Sequence, residues 1–86
     1  MYRVELSREA RRFFERANAS LQRRLDKCFD RLKVSPRRGG SIKPLAGKLM
    51  GHYRYRVGDY RVVYRIDESE QKVFVLKIAH RSEAYK

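Results

Sequence analysis

The stretch YRYRVGDYRVVYRI, residues 53–66, alternates between two kinds of side chain with a break at Gly58-Asp59. Successive strand residues point to opposite sides of a sheet. Tyr53, Tyr55 and Val57, then Tyr60, Val62, Tyr64 and Ile66, therefore share one face, while Arg54, Arg56, Arg61 and Arg65 share the other. Gly58-Asp59 places glycine first in a two-residue link, the preference of a type II′ hairpin turn. With that link Val57 pairs with Tyr60, and Arg56 stands directly opposite Arg61. Like charges so placed cost some tenths of a kcal/mol. An anionic ligand on the arginine face would offset the cost; a solvated outer face, with the repulsion softened by water and Asp59, is the alternative.

The period of two extends outward from this hairpin. Val73 to Ala79 reads as a further strand rich in Val, Ile and Phe. Ile42 to Leu45 suits another, which Pro44 confines to an edge or a bulge. Gly47 and Gly51 punctuate the turn between, and Ser35, Pro36, Gly39 and Gly40 form the clear breaker cluster. Upstream of it the spacing becomes helical. Ser7 caps a first helix to about Asn18 with Ala10, Phe13, Phe14 and Ala17 inward. Ser20 offers the second cap, and Leu21, Leu25, Cys28, Phe29 and Leu32 form the apolar stripe of a helix to about Val34. Tyr2 to Leu6 alternates as a short first strand. The sequence predicts an α+β fold: an N-terminal strand, then a two-helix hairpin packed on one face of an antiparallel sheet of about four strands.

With 86 residues there is room for one core, so residues 1–86 are read as a single domain of marginal stability. The net charge is +12, from 22 basic and 10 acidic side chains. Residues 1–40 hold 12 basic and 5 acidic residues and residues 41–86 hold 10 and 5, so the excess belongs to the fold and not to a tail. Such a field favours a polyanion, and nucleic acid is the commonest inside a cell. A single cysteine, Cys28, excludes an intrachain disulfide, and no Cys/His cluster has metal-ligand spacing. Met1 to Leu6 is too short and charged for a signal sequence, and no apolar run reaches membrane-spanning length. A soluble cytoplasmic protein that needs no cofactor and no membrane is expected.

By alternation Lys77 and Arg81 continue the face of Val75, compatible with their joining the basic surface. Tyr85 has no core role in the periodicity; its ring would stack on a base or on the protein's own surface. His80 is the natural acid or base by its ordinary pKa, and His52, beside Gly51, has the weaker case. Cys28 sits on a buried stripe, where an inert thiol is the default. Metal ligands, a Ser-His-Asp set and a phosphate-binding glycine loop are all missing from the sequence. Protein-only RNA cleavage remains available, because a ribose 2′-hydroxyl can attack its own phosphate when side chains orient it and neutralise the phosphorane.

Lys43-Pro44-Leu45-Ala46-Gly47, the run from Gly51 to Tyr64, His80-Arg81 and Tyr85 together resemble the RelE/ParE toxins, and the upstream elements agree over essentially the whole chain. The resemblance implies a toxin held inactive by a cognate antitoxin that wraps it. For RelE-type members it further implies a ribosome-dependent endoribonuclease that cuts mRNA in the A site. On that likeness Arg61 and Arg81 bind and neutralise the scissile phosphate, Arg54 and Arg56 orient the attacking ribose, and Tyr85 stacks a flipped nucleotide. Arg65, Lys77, Lys43 and Lys48 would extend the RNA-binding surface. Some RelE-type toxins carry lysines where Arg54 and Arg56 stand, and arginine is a poor base, so His80 or electrostatic activation is left for the proton.

ParE-type members share the fold but poison DNA gyrase and generally lack this catalytic set. A non-catalytic basic RNA-binding module is the third reading, which needs charge alone.

Overall fold

A computed structural model describes residues 1–85. The first strand, β1 (Arg3–Leu6), leads into helices α1 (Arg8–Arg16) and α2 (Ala19–Val34). Strands β2 (Ile42–Pro44), β3 (His52–Val57), β4 (Tyr60–Asp67) and β5 (Lys72–His80) follow, with a single 3-10 turn, Gly47–Leu49, between β2 and β3. The strands form one sheet in the order β1-β5-β4-β3-β2.

Helix starts are set by local hydrogen bonding. Ser7 Oγ accepts from the Ala10 N–H at 3.0 Å and donates to the Leu76 carbonyl at 2.7 Å, so one hydroxyl caps α1 and anchors it to β5. The second cap differs from the expected Ser20. Asn18 accepts from the Leu21 N–H at 2.9 Å, because α1 already stops at Arg16 and the chain re-enters a helix two residues earlier. Gln22 Nε2 donates to the Phe14 carbonyl at 2.7 Å and locks the two helices together.

The helices lie on one face of the sheet. Ala10, Leu25, Cys28, Phe29 and Leu32 pack there against Val57, Val62, Tyr64, Val73, Val75 and Ile78. Leu25, Leu32 and Tyr64 have no exposed surface, and truncating either leucine to alanine would cost about 2–5 kcal/mol. Tyr64 keeps its buried hydroxyl satisfied by donating to the Pro36 carbonyl at 2.7 Å, and burial raises its pKa. Burial likewise pushes the Cys28 thiol up, leaving it protonated and inert.

Two features correct the sequence expectation. The sheet has five strands and is mixed: β1 runs parallel to β5, with Arg3 opposite Lys72 and Leu6 opposite Val75, while the remaining neighbours are antiparallel. In addition, β5 bulges beside the Val63/Tyr64 step of β4. Val63 faces Lys77, yet Tyr64 faces Val75, which leaves Leu76 as the extra residue. Lys77 therefore does not share the face of Val75; the bulge turns it to the opposite side.

Candidate nucleic-acid interface

Three of the cross-strand rows on the face of the sheet away from the helices carry the expected cations, since directly opposed residues share a face. Nearest the hairpin turn, Arg56 pairs with Arg61 and Arg61 with Ala79. The middle row runs Lys43, Arg54, Val63, Lys77 across four strands. The far row runs His52, Arg65, Phe74 and ends at Glu5 of β1. Val63 and Ala79 are buried, so the charged rows stand around a small apolar floor.

Backbone carbonyls, not carboxylates, aim the arginines. Gly58 takes φ +57° and Asp59 stays at negative φ, as a type II′ link requires. The Gly58 carbonyl then accepts from Arg61 Nη1 at 2.9 Å and, more weakly, from Arg56 Nε at 3.4 Å. Arg61 Nη1 also reaches the Tyr60 carbonyl at 3.0 Å, and Arg54 Nη1 donates to the Ser41 carbonyl at 2.7 Å. A guanidinium has five donors, so each retains N–H groups for a phosphate or a ribose oxygen. The ion pairs among the described residues, Lys33–Asp30, Arg37–Glu68 and Lys72–Glu5, include none of these arginines. Their positive field is left to act outward.

Arg81 follows β5 directly. Its backbone N–H bonds to the Asp59 carbonyl at 2.8 Å, tying the residue to the same hairpin turn that carries Arg56 and Arg61. The turn beyond it is pinned by Glu83 N–H to the His80 carbonyl at 2.8 Å and by Ala84, which is buried, while Tyr85 next to it is 47% exposed. The chain thus presents the Tyr85 ring from an anchored base.

His80 is not brought to the arginines. It pairs with Tyr60, a residue of the helix-side face, and its ring meets the Tyr60 ring edge-on at 5.8 Å. Its Nδ1 accepts from the Ser82 N–H at 3.2 Å and lies 2.9 Å from Ser82 Oγ. Nδ1 is thereby occupied by Ser82. Lys48 lies in the 3-10 turn that precedes β3, at the His52 end of that strand and away from Arg56.

Two contributors to this region, Arg24 and Phe74, were missed in the sequence reading, and a third, His52, was weighed there only as an acid or base. Arg24 of α2 reaches the hairpin turn, where a Cβ added at Gly58 would run into its guanidinium. Phe74 sits outside the core with the Arg65 guanidinium 5.0 Å over its ring. His52 Nδ1 is buried without a hydrogen-bond partner. Of the two that were missed, only Phe74 had a visible signal, its alternation with Val73 and Val75.

The fold and this face define a small basic toxin-like domain. Residues 4–85 match the family model described as the ParE toxin of type II toxin–antitoxin systems, parDE, and the chain belongs to that family. Toxin RelE of Mycobacterium tuberculosis is 45% identical over 58 residues, which cover 67% of this chain and 58% of that protein. The chain's match thus spans little more than half the length of that relative. The crystal structure of the RelBE2 toxin–antitoxin complex from M. tuberculosis superposes with a TM-score of 0.77 at 30% identity, covering 93% of this chain and 98% of the other. The archaeal RelE–RelB complex from Pyrococcus horikoshii OT3 gives 0.79 at 28% identity, covering 96% and 98%. Among the described residues no helix is long and apolar enough to cross a membrane, and no group of His, Cys, Asp and Glu is arranged to hold a metal ion.

Proposed function

We propose that this protein is a RelE-type toxin that cleaves mRNA on the ribosome without a metal, through Arg54, Arg56, Arg61, Arg81 and Tyr85. The observation that carries this reading is the convergence at one hairpin turn: Arg56 and Arg61 share the Gly58 carbonyl, and the Arg81 backbone is tied to Asp59.

In the reaction the ribose 2′-oxygen attacks the adjacent phosphorus and the bond to the 5′-oxygen of the next nucleotide breaks. The products are a 2′,3′-cyclic phosphate and a free 5′-hydroxyl, the 2′-hydroxyl proton passing to water and the leaving oxygen gaining one from water. Arg61 and Arg81 neutralise the phosphorane, the term most worth supplying in such a transfer. Arg54 and Arg56 orient the ribose for in-line attack, and Tyr85 stacks a displaced base. His80, on the other side of the sheet, has no part in it; the field of the arginines favours the 2′-alkoxide in place of a dedicated base. Arg65, Lys77, Lys43 and Lys48 hold the flanking strand.

The partner that restrains the toxin is a cognate antitoxin. An acidic, apolar wrapping segment suits a +12 surface over a small core. It also agrees with the toxin–antitoxin complexes among the structural relatives, and a cytoplasmic location follows from this role. The ParE description of the matching family favours a second reading, a gyrase inhibitor without nuclease activity.

Primer extension on a reporter mRNA after brief induction without antitoxin separates the two. New 5′ ends within the translated region, lost in Arg81→Ala, are expected; intact mRNA with growth arrested would favour the gyrase reading.

A further inference from the structure

The far row of the outer face is unused by the five residues assigned above. Phe74 is an aromatic ring on the charged side of the sheet, half-buried and outside the core cluster. The Arg65 guanidinium lies 5.0 Å over its centroid. Across β3 stands His52, whose Nδ1 the fold leaves without a partner. On the other side Glu5 of β1 faces Phe74 and pairs with Lys72 at 3.7 Å, which places a carboxylate beside the ring.

We propose that Phe74 and Arg65 form a second nucleotide subsite, in which the Phe74 ring holds the Arg65 guanidinium flat and a base of the flanking RNA stacks on it. An arginine plane is a stacking platform for unstacked bases, and a cation over an aromatic face is held there by the ring's quadrupole. Four residues of strand separate Arg61 from Arg65, about 13 Å of rise. That distance exceeds the reach of the nucleotide whose phosphate Arg61 binds, so the subsite takes a neighbour in the same strand. The Lys43, Arg54, Lys77 row lies between the two and offers cations to the intervening backbone. His52 borders the platform with an unsatisfied ring nitrogen. Buried polar atoms without partners concentrate where function requires them.

This inference rests on the reading of the protein as an RNA-binding nuclease, and the test separates the two. Uncleavable 2′-O-methyl RNA of randomised sequence, fluorescently labelled and either two or eight nucleotides long, is titrated with the intact toxin. Phe74→Leu keeps an apolar cover for the sheet and removes the π-face; Arg65→Lys keeps the charge and removes the plane. Each is expected to weaken binding of the eight-nucleotide probe on the order of tenfold and to leave the dinucleotide unchanged, with melting temperatures near that of the wild type. Unchanged binding of the longer probe in both variants, alongside a loss in Arg61→Ala, would overturn the subsite alone. If the wild type binds neither probe, the subsite as a platform for free RNA is overturned while primer extension still decides the nuclease reading; if Arg61→Ala binds as the wild type does, both the phosphate role of Arg61 and the subsite fall.

Discussion

Arg56 and Arg61 are cross-strand partners that share one acceptor, the Gly58 carbonyl, at 3.4 and 2.9 Å. The shared oxygen offsets part of their repulsion but not the charge, since no carboxylate among the described residues pairs with either. Removing one arginine should therefore help the fold and harm the reaction. Arg56→Ala is expected to raise the melting temperature by about 1–3 °C, from some tenths of a kcal/mol of relieved repulsion. Cleavage of reporter mRNA should fall about 100-fold. Calorimetry and primer extension on the same preparation check both halves.

His52 carries a buried nitrogen that the fold does not satisfy. Replacing the ring with one of similar shape and no polar atoms removes that cost, about 1–3 kcal/mol. His52→Phe should melt several degrees higher than the wild type. A lower melting temperature in thermal denaturation would show that Nδ1 has a partner after all.

Gly58 at φ +57° is a position where a side chain is strained. A Cβ there also meets Arg24, but at the mobile end of that side chain, which can move aside. Gly58→Ala is expected to cost about 1–2 kcal/mol, nearly all of it backbone strain. The double variant Arg24→Ala, Gly58→Ala should recover little, and denaturant titration of the three variants gives the partition.

Acid sensitivity should trace to the β4–β5 turn. Hydrogen bonds from Tyr2 and then Arg37 hold the Glu68 carboxyl below its ordinary value, and bonds from Ser69 and the Glu70 N–H do the same for Asp67. A carboxyl depressed in the folded state contributes stability that is present above its unfolded pKa and lost as pH falls through the folded one. Between neutrality and about pH 5 the melting temperature should be level in this respect, and below about pH 4 it should decline. In Glu68→Gln that decline is expected to be shallower, which melting curves from pH 7 to pH 3 would reveal; an unchanged slope would exclude Glu68 as its source.

The β3–β4 hairpin was legible because its alternation is unbroken and Gly58-Asp59 leaves one register. The helices were legible from the spacing of Leu25, Cys28 and Leu32. The bulge at Leu76 was not, because its extra residue is apolar and Val73, Val75, Lys77 reads as ordinary alternation on either side of it. Lys77 consequently reached the basic face for a reason opposite to the one the pattern offered. The partner of β1 was also hidden: four residues of alternation announce a strand, but the parallel neighbour is chosen by how the helical hairpin returns the chain to the sheet. His80 illustrates a further limit. Its chemistry was visible in the sequence, and the side of the sheet it occupies depended on a bulge that was not.

The pairing of β1 with β5 also governs the order of events as the chain is made. Arg3 must wait for Lys72, and the Ser7 hydroxyl for the Leu76 carbonyl, 69 residues later. The helical hairpin emerges early with its apolar stripe uncovered, since the sheet that covers Leu25 and Leu32 belongs to the second half of the chain. Contacts so distant in sequence form late and slowly. A nascent chain of this protein is therefore harmless through most of its own synthesis, and becomes dangerous only when the final strand is free to close the sheet.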